Sequence, residues 1–186
     1  IHPLQLTMTP SQILTWKELR EGGPVPKFCR FDTHDLRKFQ LPIPGVWRLI
    51  VSGEVTPGLS AARRDKQLPS RTHVIGLMGQ GLPPLAFRRD EVRAKGVVDL
   101  PELRIALVSG GGGVNAFSTD TPDGPLRLEL TEDRRIRDAA SGSTWTLRGK
   151  HLDGPYGKDL PAVAVSDEYW FSWKAFHPRA TLRLIA

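Results

Sequence analysis

From Val46 onward the apolar residues fall in short runs broken by glycine, proline or acidic turns. Val46-Trp47-Arg48-Leu49-Ile50-Val51 is rich in strand formers and stops at Gly53. His73–Met78 and Pro84–Phe87 predict a hairpin that turns at Gly79-Gln80-Gly81. Arg104–Ser109 and Val114–Ser118 predict a second hairpin across four glycines. Pro125–Leu130 alternates apolar and polar positions as a half-buried strand should, and Thr144–Arg148 and Ala162–Val165 add further short strands. A helix is predicted over Arg88–Lys95, stopped by Gly96. Another is predicted over Asp167–Phe176, capped by Ser166 and ended at His177-Pro178, because the residue before proline disfavours helical geometry. Short, closely spaced strands with few helices imply a mainly β fold: an antiparallel, barrel-like or sandwiched sheet with the aromatic C-terminal helix packed on it.

The N-terminal quarter has a different pattern. Thr9 as cap, Pro10 at the first helical position and Gln12 closing a capping box predict a helix to Glu21. Ile13, Leu14, Trp16 and Leu19 crowd one side of it, and Gly22-Gly23-Pro24 ends it. The proline-rich stretch from Pro24 to Pro44 then reads as an arm. Residues 1–45 are thus expected to form a helix and arm, and residues 46–186 a mainly β domain. A short isolated helix is marginal in water and must pack on something. The arm either closes over its own sheet or docks on another subunit, with Trp16 and Leu19 as contacts.

Composition narrows the function classes. A length of 186 residues suits one domain, and no run approaches the roughly 18 apolar residues of a spanning helix. The net charge of +6 is scattered as pairs: Arg63-Arg64, Arg88-Arg89 and Arg134-Arg135, each followed by an acid (Asp65, Asp90 or Asp138). A nucleic-acid binder should gather such charge on one face, so no nucleic-acid partner is expected. A mixed solvated surface, or steering toward an acidic protein, fits better. Cys29 is the only cysteine, which excludes internal disulfides and cysteine-rich metal patterns. The first residue, Ile1, suggests a processed chain whose export signal is gone, hence a periplasmic or extracellular protein, with the cytoplasm as the alternative.

Several segments, in order, resemble a bacterial family catalogued as domain of unknown function 3179. Glu54-Val55-Thr56-Pro57-Gly58-Leu59 is similar to its opening D-G-I-P-x-L stretch. Val74-Ile75-Gly76-Leu77 with Pro84-Leu85-Ala86-Phe87 is similar to its V-x-G-V…A-Y-P hairpin. Gly96-Val97-Val98-Asp99 resembles its V-V-N-D turn. Ser141-Gly142-Ser143-Thr144-Trp145, then Gly149 and Gly154-Pro155, resembles T-G-S-x-W…G…G-P. Trp170-Phe171-Ser172-Trp173-Lys174-Ala175-Phe176-His177-Pro178 resembles W-F-A-W-x-x-F-H-P. The resemblance runs from about residue 53 to 182, with residues 1–50 outside it. It also implies a C-P-x-C-G segment between the strands of the second hairpin, a thiol pair suited to a soft metal or redox exchange. This chain has Val108-Ser109-Gly110-Gly111-Gly112-Gly113-Val114 there, and Arg89-Asp90-Glu91 in place of the family's W-H-E.

The candidate chemistry is sparse. Gly110–Gly113 could cradle a phosphate through backbone amides, but no helix start or Lys follows, so a hairpin turn is the better reading. His2, His34, His73, His151 and His177 lack metal-ligand spacing, and His177 suits the C-terminal end of the last helix. No cofactor and no bound metal are expected. Trp170 and Trp173, with Trp145, Tyr169 and Phe176, either fill a sheet face or leave rings exposed for a partner. The first reading is a non-enzymatic accessory or interaction domain acting in a larger protein assembly. The alternative is a divergent enzyme or metal-binding member with a site drawn from Asp99, Asn115, Ser143, Trp145, His151 and His177.

Overall fold

The computed structural model describes residues 16–21, 48–49, 65–78, 83–148, 151–155 and 158–185. Helix α1 is Trp16–Glu21, the described end of the predicted N-terminal helix. The strands that follow are β1 (His73–Leu77), β2 (Leu85–Arg88), β3 (Val97–Leu100), β4 (Ile105–Gly110), β5 (Gly113–Ser118), β6 (Asp120–Thr121) and β7 (Gly124–Pro125). Then come β8 (Leu128–Leu130), β9 (Ile136–Asp138), β10 (Thr144–Arg148), β11 (His151–Asp153), β12 (Ala162–Val163), β13 (Val165–Tyr169) and β14 (Thr181–Arg183). Helix α2 (Arg89–Lys95) links β2 to β3, and helix α3 (Trp170–Phe176) follows β13.

Among the described residues the strands form three four-stranded sheets, β13-β1-β2-β14, β12-β5-β4-β3 and β11-β10-β9-β8, with a small β6-β7 ribbon. Every pairing is antiparallel except β14, which lies parallel to β2. The fold is mainly β, and the sheets do not close into a barrel.

Side-chain alternation explains the stacking. Ile75 and Leu77 of β1 join Leu107 of β4 in a central core that also takes Phe87, Val92 and Val98. On the opposite face of the first sheet, Val74 and Ala86 meet Trp170, Trp173 and Ala180. On the opposite face of the second sheet, Ala106, Val108 and Phe117 meet Leu128, Ile136, Trp145 and Leu152 of the third. The order of layers is therefore α3, first sheet, second sheet, third sheet. Two sheets are covered on both faces, which is why β1 and β4 read as unbroken apolar runs rather than alternating ones.

Several local expectations change. Asp167 to Tyr169 are strand, because β13 is committed to β1 from His73↔Tyr169 to Leu77↔Val165. The helix starts only at Trp170, and Ser166 Oγ bonds Glu168 Oε1 at 2.5 Å instead of capping. Arg88 closes β2, so α2 begins one residue later and stops at Gly96, whose φ of 78° suits glycine. Val97–Leu100, read as part of a turn, is a strand paired with β4. Arg48 and Leu49 are helical rather than extended. The remainder of residues 1–64, including the arm, Cys29 and His34, lies outside the described residues. No helix among the described residues is long and apolar enough to cross a membrane.

Candidate functional site

The residues singled out for chemistry do not converge. Asp99 on β3 lines a cavity of about 790 Å³ between β3, β8 and β14. Ser143 lines a separate one of about 480 Å³ beside the β6-β7 ribbon. Asn115 and Trp145 share a third, of about 560 Å³. Neither His151 nor His177 lines any of these. His151 Nδ1 lies 2.6 Å from Asp159 Oδ2 on the surface. His177 ends α3, its backbone N–H donating to the Trp173 carbonyl at 2.8 Å and its ring 4.0 Å from that of Trp173. Among the described residues no group of three or more His, Cys, Asp or Glu could hold a metal.

Trp170 and Trp173 are both fully buried. Neither offers a partner surface, and the exposed ring of α3 is Phe176 instead, 78% accessible. Trp173 lies over Gly76: a Cβ at Gly76 would come within 2.4 Å of Trp173 Cζ3. Trp145 stands in the same relation to Gly154, again at 2.4 Å from Cζ3, while its Nε1 donates to Ser143 Oγ at 3.2 Å. Trp16 is half exposed; the side chain of Leu19 lies outside the described residues.

Two carboxylates have perturbed acidity in opposite directions. Burial pushes the Asp99 carboxyl up, against the pull of Arg127, whose Nε lies 2.8 Å from Asp99 Oδ2; the buried Oδ1 has no hydrogen-bond partner. Burial would also raise Asp138, but hydrogen bonds outweigh it and hold that carboxyl below its ordinary value. Ser141 Oγ donates at 2.6 Å, and the Ser141 and Arg127 amides each donate at 2.8 Å. Asp138 thereby ties the β9-β10 turn to the start of β8. It acts as a structural brace at the edge of the cavity that holds Ser143.

The most chemically distinctive concavity is the one that holds Asn115 and Trp145. Ser109, Gly110 and Gly111 form one wall, at the tip of the β4-β5 hairpin. Gly111 has φ 57° and Gly112 does not share it, as in a two-residue turn with glycine first. Gly110 and Gly96 are both pressed by leucines: a Cβ there would meet Leu147 Cδ2 at 2.3 Å and Leu130 Cδ2 at 2.5 Å. Arg93 comes from α2, and Arg134 and Arg135 from the β8-β9 turn; Thr144, Thr146 and Trp145 come from β10. Arg135 Nε is paired with Asp133 Oδ2 at 2.9 Å. Arg93 and Arg134 have no ion pair among the described residues, and no Asp, Glu, His or Lys is among the lining residues. Arg134 sits at φ 60°, a left-handed conformation costing about 1–2 kcal/mol for a side-chain-bearing residue. The turn holds it there through Arg134 N–H to Thr131 O and Thr131 N–H to Arg135 O, both 2.9 Å. Sequence reading placed Arg134-Arg135 among scattered solvated pairs. Nothing in their spacing points to Arg93, which reaches the cleft from a separate element.

Over residues 1–180 the chain matches the model of a family described as protein of unknown function (DUF3179). It belongs to this family. No curated protein and no solved structure matches the chain. The family match starts at residue 1, not near 53, so the N-terminal segment is part of what the family shares rather than an addition to it. Within this DUF3179 member, the segment that departs from the resemblance, Val108–Val114, is the hairpin whose turn walls the arginine-lined cleft.

Proposed function

We propose that this chain is a non-enzymatic interaction domain that serves as an accessory part of a larger protein assembly. The observation that carries the reading is the dispersal of its candidate chemical groups. Asp99, Ser143 and the Asn115–Trp145 pair line three separate cavities, and His151 and His177 line none of them. General acid–base or metal chemistry needs two or more such groups within hydrogen-bond reach of one reacting atom. The arginine-lined cleft is walled by guanidinium, amide, hydroxyl, aliphatic and aromatic groups, which bind well but do not exchange protons near neutral pH. Exposed Trp16 and Phe176 supply large apolar contacts of the kind that anchor protein interfaces. The alternative, a divergent enzyme built from Asp99, Trp145, His151 and His177, has no geometric observation in its favour.

The test is size fractionation of native-host extract, comparing wild type with a variant carrying Asp99→Asn, Ser143→Ala, His151→Gln and His177→Gln. Both are expected to travel in the same assembly, well above the monomer. A wild-type chain that runs free of other proteins would defeat the accessory role.

A further inference from the structure

We propose that the cleft between the β4-β5 turn, α2 and the β8-β9 turn is a binding site for an organic oxyanion. The ligand class is one carboxylate or phosphate group carried on an apolar or planar body. The charge half of the argument rests on Arg93 and Arg134, two exposed guanidinium groups without ion pairs among the described residues, which line one cavity together with Arg135. Exposed guanidinium groups lining one concavity that has no carboxylate among its walls make it electropositive, and an anion entering it is attracted by each of them. Guanidinium is also the group whose planar fork matches carboxylate and phosphate oxygens in pairs.

Among the described residues two non-glycine positions, Arg104 and Arg134, are left-handed, and Arg134 lines the cleft. Arg134 occupies a left-handed position where glycine or asparagine would sit without strain. Such strain persists where the surrounding turn enforces it, and it gathers at binding sites. Here the enforced conformation coincides with a side chain that lines the cleft.

The body half of the ligand follows from the other walls. Val97, Leu130, Ile136, Leu147 and Trp145 line the same space, and Ser109, Thr144 and Thr146 add hydroxyl-bearing residues to it. A volume of about 560 Å³ falls within the range of small-molecule sites. Free inorganic phosphate would use the arginines alone and leave the apolar wall wet. A flat or aliphatic anion uses both. The same chemistry occurs in a free metabolite-sized anion and in an acidic residue beside an apolar one on a protein segment. This inference rests on the reading of the chain as a binding domain.

Titration calorimetry of the purified chain tests it with four probes and one peptide. Phenyl phosphate and benzoate carry charge and body, benzyl alcohol the body alone, and inorganic phosphate the charge alone. The peptide alternates glutamate and leucine. Saturable binding of at least one aromatic anion is expected, tighter than either half-probe by tenfold or more. Arg134→Gly should weaken it at least tenfold, and Arg93→Gln likewise. Arg134→Gly is the decisive variant because glycine suits its backbone, so lost binding cannot be blamed on lost folding; the melting temperature checks this. If the peptide competes with phenyl phosphate in an Arg134-dependent way, the source is a protein partner. If the aromatic anion binds and the peptide does not, the source is a free ligand. No saturable binding by any anionic probe, or equal binding by both variants, overturns the proposal. Should binding fail while the chain still travels in its native assembly, the accessory reading survives and only this site falls.

Discussion

Replacing Gly76 by alanine adds one methyl group at the place where the fold has least room for it. The new Cβ would lie 2.4, 2.5 and 2.6 Å from Cζ3, Cε3 and Cη2 of Trp173, so something must move. The backbone cannot yield cheaply, because β1 is an inner strand with Gly76 paired to Ser166 on one side and Ala86 on the other. Nor can the ring, which is fully buried among Val74, Ala86, Trp170 and Ala180 and has the His177 ring 4.0 Å away. Overpacking costs about 1–3 kcal/mol, and the upper end applies when both neighbours are fixed. For a chain of this length that is a fall in melting temperature of about 6–12 °C. Trp173→Ala alone should cost about 3–5 kcal/mol through the cavity it leaves. In the double variant the alanine methyl enters that cavity. Its cost should vanish, giving a coupling energy of about 2–3 kcal/mol. Urea unfolding followed by far-ultraviolet circular dichroism measures all four corners of the cycle. Additive losses in the double variant, or Gly76→Ala as stable as wild type, would refute the notch-and-ring packing.

Gly154→Ala should behave alike on the third sheet, since its Cβ would reach 2.4 Å from Trp145 Cζ3; a loss of about 1–3 kcal/mol in denaturant unfolding is expected. Asp138→Asn should cost roughly 1–3 kcal/mol at pH 7 by disturbing three donated hydrogen bonds. Its folded acidity constant lies below the unfolded one, so its contribution is present above about pH 4 and lost as pH falls through the folded value. The gap between wild type and Asp138→Asn must therefore narrow in acid; a gap that stays constant down to pH 2 would contradict the brace. Asp99→Asn should have the opposite sign, because burial raises the folded value and the charged form is penalised at neutral pH. The variant should match or exceed wild-type stability at pH 7, and any advantage should disappear as pH falls below the folded value. A clear loss at pH 7 that persists in acid would show that Arg127 holds Asp99 in place more strongly than burial opposes it.

The sequence was most legible where a strand pairs with its neighbour in the chain. The two hairpins, β1-β2 and β4-β5, follow from apolar runs and glycine turns, and the structure has them. What could not be read is non-local. β13 looks helical from Asp167 onward, yet β1, more than ninety residues earlier, holds it extended through Tyr169. β14 pairs in parallel with β2 across a similar gap. The division into three sheets has the same origin, since alternation along β1 or β4 reveals two buried faces but not what covers each. The site was less legible still. Asn115 and Trp145 are candidates the sequence offers and they share a cleft, whereas the arginines that give it character come from helix α2 and the β8-β9 turn, with no common motif.

Four of the segments that carry the family resemblance are halves of packing pairs. Gly76 of the V-I-G-L run receives Trp173 of the W-F-S-W run, and Gly154 before proline receives Trp145 after G-S-T. Each pair couples a missing side chain on one segment to an indole on another, across most of the domain for Gly76 and Trp173 and across one hairpin for Gly154 and Trp145. Neither half can change without the other, because any side chain at the glycine occupies the ring's space and any smaller ring leaves a void. Motifs of this kind specify a fold without specifying a reaction. His177 fits the same description: it closes α3 and lies on Trp173, so the F-H-P ending is a helix terminus before it is a candidate ligand. In this chain the β4-β5 turn is built from glycine and lines the same cleft as the arginines. A turn without side chains leaves the cleft open, and the groups around it fix the charge of what can enter.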